Sequence, residues 1–406
     1  MISFHEKVFL SALRDGLRGK TLESDPGLVG EDWAEVLMLA KAQELLPLAY
    51  ETVYRCESFS LLNAEKRREF QNFAVQAAVR QIVQSNEFLT LMQHAQARGL
   101  DPVVLKGIAV RSLYPRPMLR PSVDEDLLIA PSEAAAYHRF FLDEGLQPDD
   151  PEADPACASE LSYHKPDSPT YIELHSSPFP PDSSAYADCG ALFEGALERS
   201  VRVQIEDVSV RTLAPTDHLL FLLCHAYKHF LHGGIGIRQV SDLAVFAEKN
   251  GGGIDWTRVR SGCGSIRIEY FSAALFRIAQ KHLGFELPEA FADLDADEGP
   301  LLTDILEGGN FGTADLDRMH SGNLTLDAVA AQKQGRRRSG LFAAAFPTAE
   351  YMAQRYPWLR GRRWLLPAAW LRRAGEYLLS RDSSAASVLR LGRERIKLLR
   401  QYRIID

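Results

Sequence analysis

Asp124 and Asp126, in the run Ser122-Val123-Asp124-Glu125-Asp126-Leu127-Leu128-Ile129, are the side chains in this sequence most suited to chemistry. On a strand, side chains two positions apart leave the same face, so the two aspartates project together while Glu125 points the other way. Two carboxylates aimed at one spot repel each other unless a cation lies between them, and hard oxygen ligands suit Mg2+ or Mn2+. A third carboxylate would complete such a site, either as a further ligand or as the base that takes a proton from an attacking hydroxyl. Glu173, in Thr170-Tyr171-Ile172-Glu173-Leu174-His175, is placed for that role, because Ile172 and Leu174 alternate with it and turn to the core.

The elements that must position these groups follow from periodicity. Apolar residues recur at helical spacing in Phe9-Leu10-Leu13, in Val36-Leu37-Leu39-Ala40, and through Phe70, Phe73, Ala74, Ala77, Val79, Ile82 and Val83, which predicts a helical region over residues 1–100. At Asp101-Pro102 the pattern changes to a short strand, Val103-Val104-Leu105, followed by a Lys106-Gly107 turn, a helix over Ile108 to Tyr114, a Pro-rich loop and a strand from Asp124 to Ile129. A helix to Leu142 stopped by Gly145, strands at Leu161–Tyr163 and Thr170–Leu174, and a hairpin Val201–Ile205 with Val208–Leu213 complete an α/β core over 101–213. Pro215 stands at a good first helical position, and helices predominate over 214–406. The expected class is α+β: a small mixed sheet flanked by helical N-terminal and C-terminal regions.

Composition narrows the function. A hydrophobic fraction of 46 % and a charged fraction of 25 % are those of an ordinary globular protein. No run of about eighteen apolar residues offers a membrane span, the start lacks the pattern of a signal peptide, and the five cysteines are far apart, all of which fit a cytoplasmic protein with reduced thiols. The net charge of −8 argues against a general polyanion binder, although from Gly335 onward sixteen Lys or Arg face five acidic residues. Arg336-Arg337-Arg338 and Arg360 to Arg363, interleaved with aromatics, are read as a solvated face and helical core, and nucleic acid is not the expected partner.

Leu105-Lys106-Gly107, Tyr114-Pro115, Arg120, Asp124-x-Asp126-Leu127-Leu128, Ile172-Glu173-Leu174-His175, Leu213-x-Pro215-x-Asp217-His218-Leu219, His225-Ala226-x-x-His229, Asp242-Leu243 and Ile254-Asp255-Trp256 together form a recognisable pattern. It resembles the uncharacterised nucleotidyltransferase family of bacteria, a branch of the polymerase-β superfamily. Phe346-Pro347-Thr348, Tyr356-Pro357 and Leu371-Arg372-Arg373 resemble that family's C-terminal pattern, so the likeness covers most of the chain. The resemblance implies transfer of a nucleoside monophosphate from a nucleoside triphosphate to a small-molecule or peptide acceptor, with pyrophosphate leaving. It implies Mg2+ or Mn2+ on Asp124, Asp126 and Glu173, phosphates met by Lys106 and the Gly107 amide, and pyrophosphate stabilised by Arg120. Lys106-Gly107 stands where the wider superfamily has Gly-Ser or Gly-Gly, and Glu173 where Asp is more familiar.

His218, His225, His229 and His232 share one helix face, and the i, i+4 spacing of His225 and His229 is that of a metal pair. The Glu that follows the first His in hydrolytic zinc helices is missing, so packing or acceptor-site roles are expected. His175, His225, Lys228, His229, Arg238 and Asp242 are the candidates for lining the pocket. Two other outcomes share the fold: a catalytically inactive module that holds nucleotide or a partner, and a kinase-like enzyme delivering a terminal phosphoryl group.

Overall fold

In the computed structural model, residues 2–312, 316–335, 352, 356–359, 362–379 and 385–406 are described. Arg336 to Arg338, Phe346-Pro347-Thr348 and Arg360 lie outside them. The mixed sheet with helical flanks expected from the sequence is present. Helices α1 (Phe4–Gly16), α2 (Glu31–Ala42), α3 (Leu46–Val53) and the 34-residue α4 (Ala64–Ala97) precede it. The sheet holds β1 (Val103–Val104), β2 (Glu125–Leu128), β3 (Gln147–Pro148), β4 (Glu160–His164), β5 (Tyr171–His175), β6 (Val201–Ile205) and β7 (Val208–Thr212) in the order β3-β4-β5-β2-β1-β7-β6. Short α5 (Ile108–Arg111) follows β1, α6 (Ala134–Asp143) follows β2, and α7 (Asp188–Ala191) follows β5. After the sheet come α8 (Pro215–His232), α9 (Ile237–Asn250), α10 (Trp256–Ser265), α11 (Glu269–Leu283), α12 (Gly299–Gly308), α13 (Leu316–Lys333), α14 (Leu366–Leu379) and α15 (Ala385–Gln401). No helix among the described residues is long and apolar enough to cross a membrane.

The two faces of the sheet do different work. Leu127 and Ile129 on one side of β2, with Ile172 and Leu174 of β5 and Leu161 and Tyr163 of β4, join Phe88, Leu89, Met92 and Ala95 of α4 and Phe140 and Phe141 of α6 in one core. Leu128 on the other side belongs to a larger core that draws on α1, α8, α9 and α11 and reaches Ile405 at the chain's end. Helices from both flanks therefore share one apolar interior with the sheet.

The α4 helix is where the structure departs most from the periodic expectation. Phe70 and Ala74 are buried, yet Phe73, Val79, Ile82 and Val83 are exposed. The buried mid-helix positions are polar: Gln81 Oε1 accepts from the Ser122 amide at 2.7 Å and Gln84 Nε2 donates to the Val123 carbonyl at 2.9 Å. These amides pin the loop that leads into Asp124, so they repay their burial with backbone hydrogen bonds. Less than one turn beyond Gln84, Glu87 accepts from the hydroxyls of Ser168 and Thr170 at the entrance to β5. A single helix thus fixes the approaches to both strands that carry carboxylates.

Glu125, which the strand alternation turns away from Asp124 and Asp126, is fully buried. It accepts from the Ile108 amide at 2.7 Å and from Arg111 Nη2 at 2.7 Å, so it closes the first turn of α5. Gly107 sits between, at φ +64°, and a Cβ there would collide with the Glu125 carboxylate. The Gly107→Ala variant combines left-handed strain with that collision, and it should lose about 3 kcal/mol or more of stability in urea denaturation. Retention of wild-type stability would mean that the Glu125 contact does not constrain the turn.

Candidate active site

Parallel pairing of β2 with β5 sets Asp126 opposite Glu173 and Leu128 opposite His175. In the antiparallel partner β4, Ser162 faces Glu173 and Glu160 faces His175. Register alone therefore brings Asp126, Glu173 and His175 onto one face, and a ligand atom from each lies within 4.8 Å of the others. His175 Nε2 is 3.0 Å from Asp126 Oδ1 and 3.7 Å from Glu173, while its Nδ1 is 3.5 Å from Glu160. Glu160 carried no signal as a lone acidic residue in the sequence; only the β4–β5 register places it there.

Asp124, just before β2, is joined to Asp126 through Lys106. The Lys106 ammonium lies 2.8 Å from Asp124 Oδ2 and 3.0 Å from Asp126 Oδ2. The 3.0 Å contact lacks hydrogen-bond alignment, which leaves a buried oxygen of Asp126 without a hydrogen bond. Two carboxylates that converge on one cation, with a third paired alongside, are hard oxygen donors that fit a divalent cation.

The local field follows from these distances. Burial disfavours the Lys106 charge, but Asp124, Asp126 and Glu173 hold it well above its ordinary value. Burial opposes the Asp124 charge as well, and Lys106 beside it overrides this and holds the carboxyl well below the usual range. Burial pushes Glu173 up, against a hydrogen bond from His175, and the Asp126 charge adds to the rise. His175, which burial would lower, is raised to about 9 by Asp126 and Glu173.

Lys106, Gly107 and Asp124 form one side of a cavity whose other walls come from α8, α9 and the segment after α12: Leu222, His225, Arg238, Gln239, Asp242 and Phe311, with Arg120 and Ser122 at the base. Arg120 is buried and turned to Asp242, with Nε 3.0 Å from Oδ1 and Nη2 on Oδ2, and the Tyr114 hydroxyl donates to the same Oδ1 at 2.7 Å. The α5 amide at Ile108 is taken by Glu125, which leaves the Lys106 side chain and the Gly107 backbone as the parts of that turn on the cavity. Gln239 and Phe311 had no sequence signal; both reach the cavity only because α9 and the residues after α12 fold over it.

The histidines of α8 divide by direction. His225 and His229 approach each other at 3.1 Å between Nε2 atoms, and His229 packs on Phe311 with ring centroids 4.4 Å apart. Burial and the Lys106 charge hold both well below the ordinary imidazole range, so the pair is neutral at pH 7. Lys228, half-buried on the same helix, adds to that depression. His232 meets the Tyr186 hydroxyl at 3.2 Å. His218 is directed into the core, against Thr212 at 3.3 Å and Phe246 at 4.5 Å between ring centroids, and burial lowers it to about 4. An unfolded histidine takes up its proton below about pH 6.5, whereas the folded His218 resists it. Its stabilisation is thus complete above that pH and is lost as pH falls toward 4, amounting to about 2 kcal/mol lost by pH 5. Melting temperature should decline from pH 7 to 5, and His218→Gln should make that slope shallower by the His218 share while His225, His229 and His232 keep theirs; an unchanged slope would show that His218 does not contribute to it.

Residues 30–284 match the family described as uncharacterised nucleotidyltransferase. The match spans the helices that buttress the sheet, the three carboxylates, and the α8 and α9 walls of the cavity. No curated protein and no solved structure matches the chain. A match over more than half of the sequence, with the carboxylates gathered beside a cavity, places the chain in the family of uncharacterised nucleotidyltransferases.

Proposed function

We propose that the enzyme is a metal-dependent nucleotidyltransferase that moves a nucleoside monophosphate from a nucleoside triphosphate to a small-molecule or peptide acceptor. The observation that carries this reading is the convergence of Asp124 and Asp126 on one cationic nitrogen, with Glu173 paired across the sheet. Asp124, Asp126 and Glu173 would hold Mg2+ or Mn2+, which when bound neutralises charge on the attacking and leaving oxygens.

The chain's own groups supply the rest. Glu173, paired with Asp126 in the β2–β5 register, is placed to take the proton of the acceptor nucleophile. The acceptor atom forms its bond to the α-phosphorus, the bond from that phosphorus to the bridging oxygen breaks, and pyrophosphate departs with the electron pair. His175 fixes the orientation of Asp126 through its 3.0 Å contact. Lys106, Gly107 and Arg120 border the space for the triphosphate, and neutral His225, backed by His229, borders the acceptor side; Lys228 is not among the residues that line the cavity.

Calorimetric titration of non-hydrolysable nucleoside triphosphate analogues, with and without Mg2+, tests the reading. Binding should require the metal and weaken by at least about a hundredfold in Asp124→Asn and Asp126→Asn, since even outer partners of metal ligands matter at that scale. Variants that bind metal and triphosphate like the wild type would sink the assignment. Product mass then separates nucleotidyl from phosphoryl transfer.

A further inference from the structure

Three cations border the cavity beside the carboxylates, and their partners set them apart. Lys106 is held between Asp124 and Asp126. Arg120 spends Nε and Nη2 on Asp242, which makes the pair locally neutral. Arg238 is different. It is 6 % exposed, and its contacts with the Pro121 carbonyl at 2.8 Å and Glu44 at 2.7 Å both use Nη1. Its Nε is buried with no hydrogen-bond partner among the described residues. Glu44, the carboxylate it pairs with, is 39 % exposed, and water competes for it.

A buried guanidinium with an idle N–H carries a desolvation cost that its present contacts do not repay. The planar fork matches two oxygens of one phosphoryl group, and the Phe311 ring, 5.4 Å from the guanidinium carbon, supports that plane. The first amides of α9 offer no substitute, because Gly236 N donates to Gln239 and Ile237 N to Gln43. We infer that Arg238 receives the terminal phosphates of the donor triphosphate, while Arg120 is a positioning residue that locks the base of the cavity to α9 through Asp242. This rests on the reading that a triphosphate enters the cavity.

Calorimetry with inorganic tripolyphosphate, and with a nucleoside monophosphate for comparison, tests the assignment. Arg238→Gln should weaken tripolyphosphate roughly tenfold to a hundredfold, the usual range for a charge-assisted hydrogen bond, and leave the monophosphate within about twofold. Glu44→Gln should tighten tripolyphosphate a few-fold by releasing Arg238 from its carboxylate partner, a gain that a purely structural arginine would not produce. The inference is overturned if Arg238→Gln binds tripolyphosphate as the wild type does, or if its loss extends equally to the monophosphate. It is also overturned if Arg238→Gln melts early while Glu44→Gln leaves affinity unchanged. Wild-type protein that binds tripolyphosphate through Arg238 but shows no metal-dependent nucleotide binding would defeat the transferase reading, and with it the donor role of Arg238, and leave Arg238 as a polyphosphate contact only.

Discussion

Three carboxylates on one face of one sheet repel each other, and much of the structure around them answers that repulsion. Asp124, Asp126 and Glu173 are brought together by strand alternation and by the β2–β5 register, neither of which can be relaxed without moving the core side chains of the opposite face. Lys106 and His175 supply the opposing charge, from a turn that follows β1 and from the end of β5. Such a cluster is costly to hold in the absence of cations, and it is the arrangement that a divalent ion relieves most.

The same alternation that gathers the chemistry on one face delivers Glu125 to the other. There it is fully enclosed by Arg111 and the Ile108 amide, so that a fourth carboxylate in the same run serves as a brace. Its pairing is strong because it is buried and hydrogen-bonded on both oxygens. Behind it, α4 pins the loop before Asp124 through Gln81 and Gln84 and the entrance to β5 through Glu87. Rigid support of this kind keeps the carboxylates in place for chemistry that depends on position more than on any single bond.

The opposite wall is built from α8 and α9. Its histidines are neutral, its one arginine–aspartate fork is closed, and its remaining arginine has a donor to spare. A wall with neutral hydrogen-bonding groups and one guanidinium whose Nε is unpartnered suits a ligand that is anionic at one end and polar at the other. That wall is assembled from side chains far apart in the chain, and the proposed triphosphate and acceptor would meet it there.

The alternating Asp124-Glu125-Asp126 run, the strand around Glu173, the turn at Gly107 and the helix opened by Pro215 were legible because each depends on a period or a local conformational rule that neighbouring residues obey. The family likeness was legible for the same reason, since its motifs are short and local. Long-range partnership was not. Arg120 was expected at the leaving pyrophosphate, and the structure turns two of its nitrogens to Asp242, 122 residues away. The apolar residues of α4 recur at the helical spacing that predicted the helix, yet part of that set faces outward because Gln81 and Gln84 occupy the buried side. The sequence by itself determined the strand faces, the carboxylates and the α+β class, all of which follow from periodicity. The tertiary structure alone decided which cation meets which carboxylate, which histidines meet each other and which arginine keeps an unpartnered Nε, because pairing across distant segments depends on register and packing that no local pattern encodes.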